Sequence, residues 1–259
     1  MRGTKFLPSL DGVRWDDETK FSPDQKLTFK REKLNFTIIK ETSETSNTKY
    51  EMFQRINTGG LSLSPQELRN CLLIMINKPL YETINELHDN ASFDACTPLT
   101  DAQESERYDL ELVVRYLLYI SFSQEVLDDI DKSRNMDSFL TEELERYASM
   151  PDNPILQQSI DLFPLLFGLM NELLGENSFK KYQDGKHKGA VLIAAFEGIV
   201  PGLYQNYTYW STHKEELVSR IHTMYEQEAF LSATRRGIRP LDRMVQLIKF
   251  SRVWFHHED

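Results

Sequence analysis

The sequence predicts an α+β protein that is predominantly α, with few strands near its start and a large multi-helix domain after them. Three observations carry that expectation. Apolar residues recur at helical spacing almost throughout from Leu68 onward, in stripes such as Leu110, Val113, Val114, Leu117 and Leu118. A single run, Leu34 to Ile39, has the β-formers Phe36, Ile38 and Ile39. Between them Ser64-Pro65-Gln66-Glu67 spells a helix start: serine at the cap, proline at the first position and glutamate three after the cap.

The first forty residues mix short apolar groups with turn formers, and Ser22-Pro23-Asp24 predicts a short helix. One strand makes no sheet. Nothing downstream has comparable β-patterning, so the strand at Leu34 needs partners that this reading does not find. Residues 41 to 48 are a polar loop, and Tyr50, Phe53 and Ile56 predict a helix from about Asn47 to Ile56. Asn57-Thr58-Gly59-Gly60 ends it, the glycines supplying left-handed conformations. Further helices are expected after Ser64, over Leu80 to Leu87, through Leu110 to Leu118, and over Ser138 to Ser149. Ala91 to Glu106 reads as a loop. A long apolar helix from Pro154 to Leu174 should bend at Pro164, and Lys180 to Lys188 reads as a basic, glycine-bearing connector. The next helix, Gly189 to Tyr207, should be interrupted at Pro201-Gly202, and helices follow near Thr212 to Glu228 and Pro240 to Phe255.

At 259 residues the chain is long enough for one large or two modest cores, and its 40% hydrophobic and 27% charged content is that of an ordinary globular protein. No apolar run approaches the roughly 18 residues of a membrane span. With no secretory signal pattern and only Cys71 and Cys96, both expected as buried small hydrophobes, a cytoplasmic protein without membrane contact is expected. The net charge of -10 repels a phosphate backbone over most of the surface. Any nucleic-acid contact must be local.

Phe53 to Asn70, FQRINTGGLSLSPQELRN, concentrates the chemistry. Backbone NH groups of a glycine turn followed by a helix start form an anion seat, with Arg55 and Arg69 as cations and Asn57 and Thr58 as hydrogen-bonding or metal-facing groups. The competing structural reading is a plain helix cap with Arg55 paired to Glu67 across the turn; no Walker-type GK[ST] is present. Physics alone leaves both open.

This stretch resembles the FxRxNTGG…LSxxELRN signature of the N-terminal domain family of GmrSD-type restriction endonucleases, the S-subunit-like proteins of bacterial defence against modified phage DNA. LPSLDGVRWDD…LNFTIIKETSE before it, NCLLIMINKPLYETINEL after it and the closing RRGIRPLDR…WF are similar to that family in order and spacing, so the likeness covers nearly the whole chain. The same region is similar to the ENxxRxxLxPxExA element of ParB-type nucleotide-binding domains, with Arg55, Leu63, Pro65 and Glu67 in comparable places. The resemblance implies the second part of a ParB-like nucleotide-binding lobe over residues 1–77 and a helical domain over 78–259. It implies NTP with Mg2+ as cofactor, and Arg55, Asn57, Thr58, Gly59, Gly60 and Arg69 as nucleotide-binding residues. The implied partner is a nuclease subunit or the remainder of the family domain. The family's Asp-Gly-Gln-Gln-Arg motif and its HNH nuclease domain do not occur in this sequence, so hydrolysis by this chain alone is not expected. Two alternatives stand beside this sensor: a helical interaction module that docks on a separately encoded nuclease, and a DNA-binding helical protein.

The last alternative rests on Arg235, Arg236, Arg239 and Arg243, joined by Lys249 and Arg252, a basic patch suited to phosphates or an acidic partner, or else a solvated helix face. His256 and His257 read as a frayed end, and His88, His187, His213 and His222 have no metal-ligand spacing. Asp128, Asp129 and Asp131 read as a solvated turn lacking the glycine of an EF-hand loop.

Overall fold

A computed structural model describes residues 14–15, 22–33, 52, 63–150 and 154–257. The chain divides into two compact units, Met1–Glu44 and Thr45–Asp259. The predicted strand at 34–39, the helix at 47–56 apart from Met52, and the glycine turn at 57–60 lie outside the described residues.

In the first unit, α1 (Pro23–Arg31) begins with a full capping box, Ser22 accepting from the Gln25 amide and the Gln25 side chain reaching back to the Ser22 amide. Trp15 and Phe29 meet at 5.4 Å between ring centroids, and the Lys30 ammonium lies over the Trp15 ring.

The second unit holds the core. Its elements run α2 (Pro65–Ile76), α3 (Lys78–His88), α4 (Ala91–Cys96), α5 (Asp101–Ser105), α6 (Tyr108–Ser121), α7 (Gln124–Asp129), α8 (Met136–Ala148) and α9 (Pro154–Leu174). After a short 3-10 turn come β1 (Lys180–Gln183), β2 (Lys186–Val191), α10 (Ile193–Gln205), α11 (Tyr207–Trp210), α12 (Lys214–Met224), α13 (Glu228–Ala233) and α14 (Pro240–Trp254). Among the described residues the fold is therefore predominantly α with a two-stranded antiparallel sheet.

Helix α6 is the axis of this unit. Every residue from Leu110 to Ile120 is buried, and α2, α3, α8, α9 and α10 all pack on it. A helix apolar on every side belongs inside a core, and the buried stretch Leu110 to Ile120 carries charge only at Glu111 and Arg115. Against it an aromatic cluster gathers Phe93, Tyr116, Phe163 and Phe167, with Phe163 and Phe167 at 4.5 Å and Tyr116 edge-on to Phe163 at 4.9 Å. Helix α2 packs on α3, α6 and α8 within the second unit.

Four local expectations are corrected. The stretch 91–106 contains two short helices, α4 and α5, each started by a side-chain cap, Asn90 and Thr100 respectively. The connector at 180–188 is a β-hairpin with Tyr182 opposite His187 and Gln183 opposite Lys186. Its turn is Asp184-Gly185, both at positive φ, the Asp-Gly pairing that two-residue hairpins favour. Helix α10 runs unbroken through Pro201-Gly202 because the lost and redirected donors are absorbed there: Pro201 has no N–H, and the Gly202 N–H donates to Ser251 Oγ at 2.8 Å. Glycine is required at that crossing, since a Cβ on residue 202 would stand 2.1 Å from the Ser251 carbonyl oxygen. His257, expected in a frayed end, is held: its ring stacks on Tyr209 at 3.5 Å and its amide donates to Asn206 Oδ1 at 3.3 Å.

Helix α9 continues through Pro164, which lies on its exposed side. No helix among the described residues is long and apolar enough to cross a membrane.

Candidate functional site

The described part of the candidate site begins at Ser64. Its hydroxyl accepts from the Glu67 amide at 3.2 Å and donates to the Glu106 carbonyl at 2.7 Å, while the Glu67 carboxylate accepts from the Ser64 amide at 2.7 Å. The predicted capping box is therefore complete, and a carboxylate already occupies the positive end of α2. Arg55, Asn57, Thr58, Gly59 and Gly60 lie outside the described residues.

Arg69 is placed differently from a surface cation. Its side chain is 0% exposed, one turn inside α2, where Nε donates to Gln66 Oε1 at 2.7 Å and Nη2 donates to Glu111 Oε2. Gln66 is itself buried and donates to Asn70 Oδ1 at 2.9 Å. From Glu111 the polar contacts continue along α6. The other oxygen of Glu111 accepts from Arg115 Nε at 2.9 Å and Nη2 at 2.7 Å, the spacing of an i,i+4 pair turned inward. Arg115 Nη1 donates to the Tyr119 hydroxyl at 2.6 Å, and that hydroxyl lies 3.4 Å from Glu197 Oε1 on α10. Arg243 of α14 closes the series by gripping Glu197 with Nε at 2.8 Å and Nη2 at 3.2 Å, a two-point clamp.

A continuous file thus runs through buried Arg69, Glu111, Arg115 and Glu197 to half-buried Arg243 and joins four helices, α2, α6, α10 and α14. Its electrostatics follow from burial. Burial holds the Glu197 carboxyl above its ordinary range, and the two-point clamp by Arg243, with Arg115 and Tyr119, offsets that only in part. Burial opposes the charge on Arg115, but Tyr119 and Glu111 outweigh it and hold that guanidinium charged. Removing one member would leave its neighbour charged and unpaired in a dry interior, which is why such files move or break as units.

The remaining arginines of the predicted patch divide by depth. Arg235 is exposed and pairs with Glu228 at 2.9 Å, Arg239 donates to the Ser133 carbonyl at 3.1 Å, and Arg236 is exposed with no partner among the described residues. Arg243 belongs to the buried file. Arg252 donates to the carbonyls of Tyr119 and Phe122, capping the end of α6, and Lys249 pairs with Asp128. The patch is therefore an arginine corner over residues 235–239, with the rest tied into the helical body.

The histidine pairing is a feature that sequence spacing could not expose. His187 of β2 and His222 of α12, 35 positions apart, bring their Nε2 atoms to 3.2 Å, and His222 stacks on Tyr182 at 3.7 Å. Among the described residues no group of three or more metal-ligating side chains gathers. Cys96 is buried, receives a hydrogen bond from Ser178 and has its thiol pushed up to about 11 by burial; Cys71 is only half-buried.

Comparison of the chain with protein families, with curated proteins and with solved structures finds no match.

Proposed function

We propose that this chain is a nucleotide-sensing regulatory component of a restriction system similar to the GmrSD type, without hydrolytic activity of its own. In this reading Arg55, Asn57, Thr58 and the backbone of Gly59 and Gly60 hold the phosphates of an NTP with Mg2+. Arg69 touches no phosphate. It reports the state of the preceding segment into the helical body, and a nuclease subunit reads the result.

The observation that carries the reading is the buried file itself. The helix that follows the glycine turn by four residues places its first arginine, Arg69, in ionic contact with Glu111, and the contacts continue to Arg243 on α14. A site whose adjoining helix is wired by charge into the core has a physical route for coupling, because a shift of α2 changes the partner geometry of every member. A simple helix cap needs no such continuation.

Isothermal titration calorimetry of the full chain with ATP, GTP, CTP and UTP, each with Mg2+, tests it. At least one nucleotide is expected to bind saturably, and Arg55→Ala should weaken that binding about tenfold or more, the value of a charge-assisted hydrogen bond. Absence of heat with all of them overturns the sensing role.

A further inference from the structure

A cleft opens where the hairpin meets α10, α13 and α14. The cleft has a volume of about 360 Å³. Ile193, Ala194 and Phe230 form its walls, and Leu192 and Leu231, 36% and 42% exposed, form an apolar lip. Large aliphatic side chains left this open at the mouth of a concavity mark a place where apolar surface waits to be covered.

The charged groups that line the cleft are of one sign. Lys181 from β1 and Arg243 from α14 line it, and no carboxylate does. The Lys181 ammonium has no ion-pair partner among the described residues, in contrast to Lys180, paired with Glu176, and Lys188, paired with Asp184. Arg243 uses Nε and Nη2 on Glu197, and its Nη1 donates to no described protein atom, although the side chain is only 23% exposed. The other two polar side chains of the lining are already engaged within the protein, the Tyr225 hydroxyl donating to the Lys180 carbonyl at 3.0 Å and Thr234 donating to the Phe230 carbonyl at 2.8 Å. Two cations with free donors at an apolar cavity, on a chain of net charge -10, single out an anion with an apolar body.

We infer that this cleft binds a small amphipathic carboxylate, its headgroup between Lys181 and Arg243 and its hydrocarbon chain against Ile193, Ala194, Phe230 and the Leu192–Leu231 lip. The size of the cavity suits one small molecule, since ligand pockets commonly span about 300–1,000 Å³. Because the headgroup meets the guanidinium that clamps Glu197, occupancy bears on the α10–α14 crossing. The inference is independent of the nucleotide reading and is tested without nucleotide present.

Calorimetry of the full chain with octanoate, octan-1-ol and octylammonium decides it. Octanoate is expected to bind saturably, with the alcohol and the ammonium at least about tenfold weaker, the difference a charge-assisted hydrogen bond makes. Within the carboxylate series from butanoate to octanoate, each added methylene should tighten binding about fourfold. Two exposed positions provide variants that leave the core untouched: Lys181→Glu should abolish the preference for carboxylate over alcohol, and Leu231→Glu should weaken octanoate about tenfold through repulsion and lost apolar contact. Equal binding of alcohol and carboxylate, a carboxylate preference that survives Lys181→Glu, or no octanoate binding at all would overturn the inference.

Discussion

Arg239 and Arg243 are one helical turn apart, yet they belong to different worlds. Arg239 lies on the exposed corner and donates to one loop carbonyl, that of Ser133. Arg243 turns inward and clamps a fully buried glutamate. The same contrast separates Arg235 and Arg236 from Arg69 and Arg115. What differs is the partner: each inward-turned arginine meets a buried carboxylate flanked by apolar residues, Glu111 in α6 or Glu197 in α10. A basic cluster in sequence is therefore no unit of function; the acids that interrupt apolar stripes decide which of its members become internal.

The strongest way to break that comparison is to remove the acid. Glu197→Ala leaves Arg115 and Arg243 facing each other without their shared carboxylate, and urea unfolding should show a loss of about 3–5 kcal/mol. Gly202→Ala attacks the same crossing sterically, pressing a methyl group against the Ser251 carbonyl, and should cost about 3 kcal/mol with a lowered melting temperature. A double-mutant cycle of Arg69→Met and Glu111→Gln should return a coupling of about 1–3 kcal/mol, which marks the file as interacting rather than merely adjacent.

The histidine pair gives a smaller effect with a defined pH sign. Burial, and then His187, lower the affinity of His222 for a proton. The folded state therefore holds fewer protons there than the unfolded state near neutrality. Its contribution is present above the ordinary histidine value of 6.5 and is lost as pH falls through the lowered folded value. His222→Gln should flatten the acid side of the stability profile measured by thermal unfolding at successive pH values. At the surface end of the comparison, Arg235→Ala and Arg236→Ala should each change stability by less than about 0.5 kcal/mol.

The helical class was legible because helix punctuation and apolar periodicity agree: Ser64, Pro65 and Glu67 start α2 as their residue types dictate, and the Leu110 to Leu118 stripe is the buried axis. The hairpin was missed because its strands are lysine-rich and largely exposed, so period-2 alternation is weak, while the local signal, Asp184-Gly185, was present and outranked by charge. The continuation of α10 through Pro201-Gly202 was illegible because it depends on a donor swap with Ser251, 49 positions away. The burial of Arg69, expected as a second cation of the anion seat, is illegible for the same reason. Its helix phase was visible, but Glu111 as its partner is a tertiary fact. The acids inside apolar runs, Glu111 among leucines and Glu197 after Ala194-Ala195-Phe196, were the available clue to the buried file.

Hydrogen–deuterium exchange with and without Mg2+ and the nucleotide that binds best tests the central claim, that the segment before α2 is coupled through Arg69 to α14. The account predicts that nucleotide slows exchange in residues 193–205 and 240–254 as well as around 53–76, and that Arg69→Met, while still binding nucleotide, loses the distant protection. Protection confined to 53–76 in the wild-type chain, or distant protection that survives Arg69→Met, would contradict it.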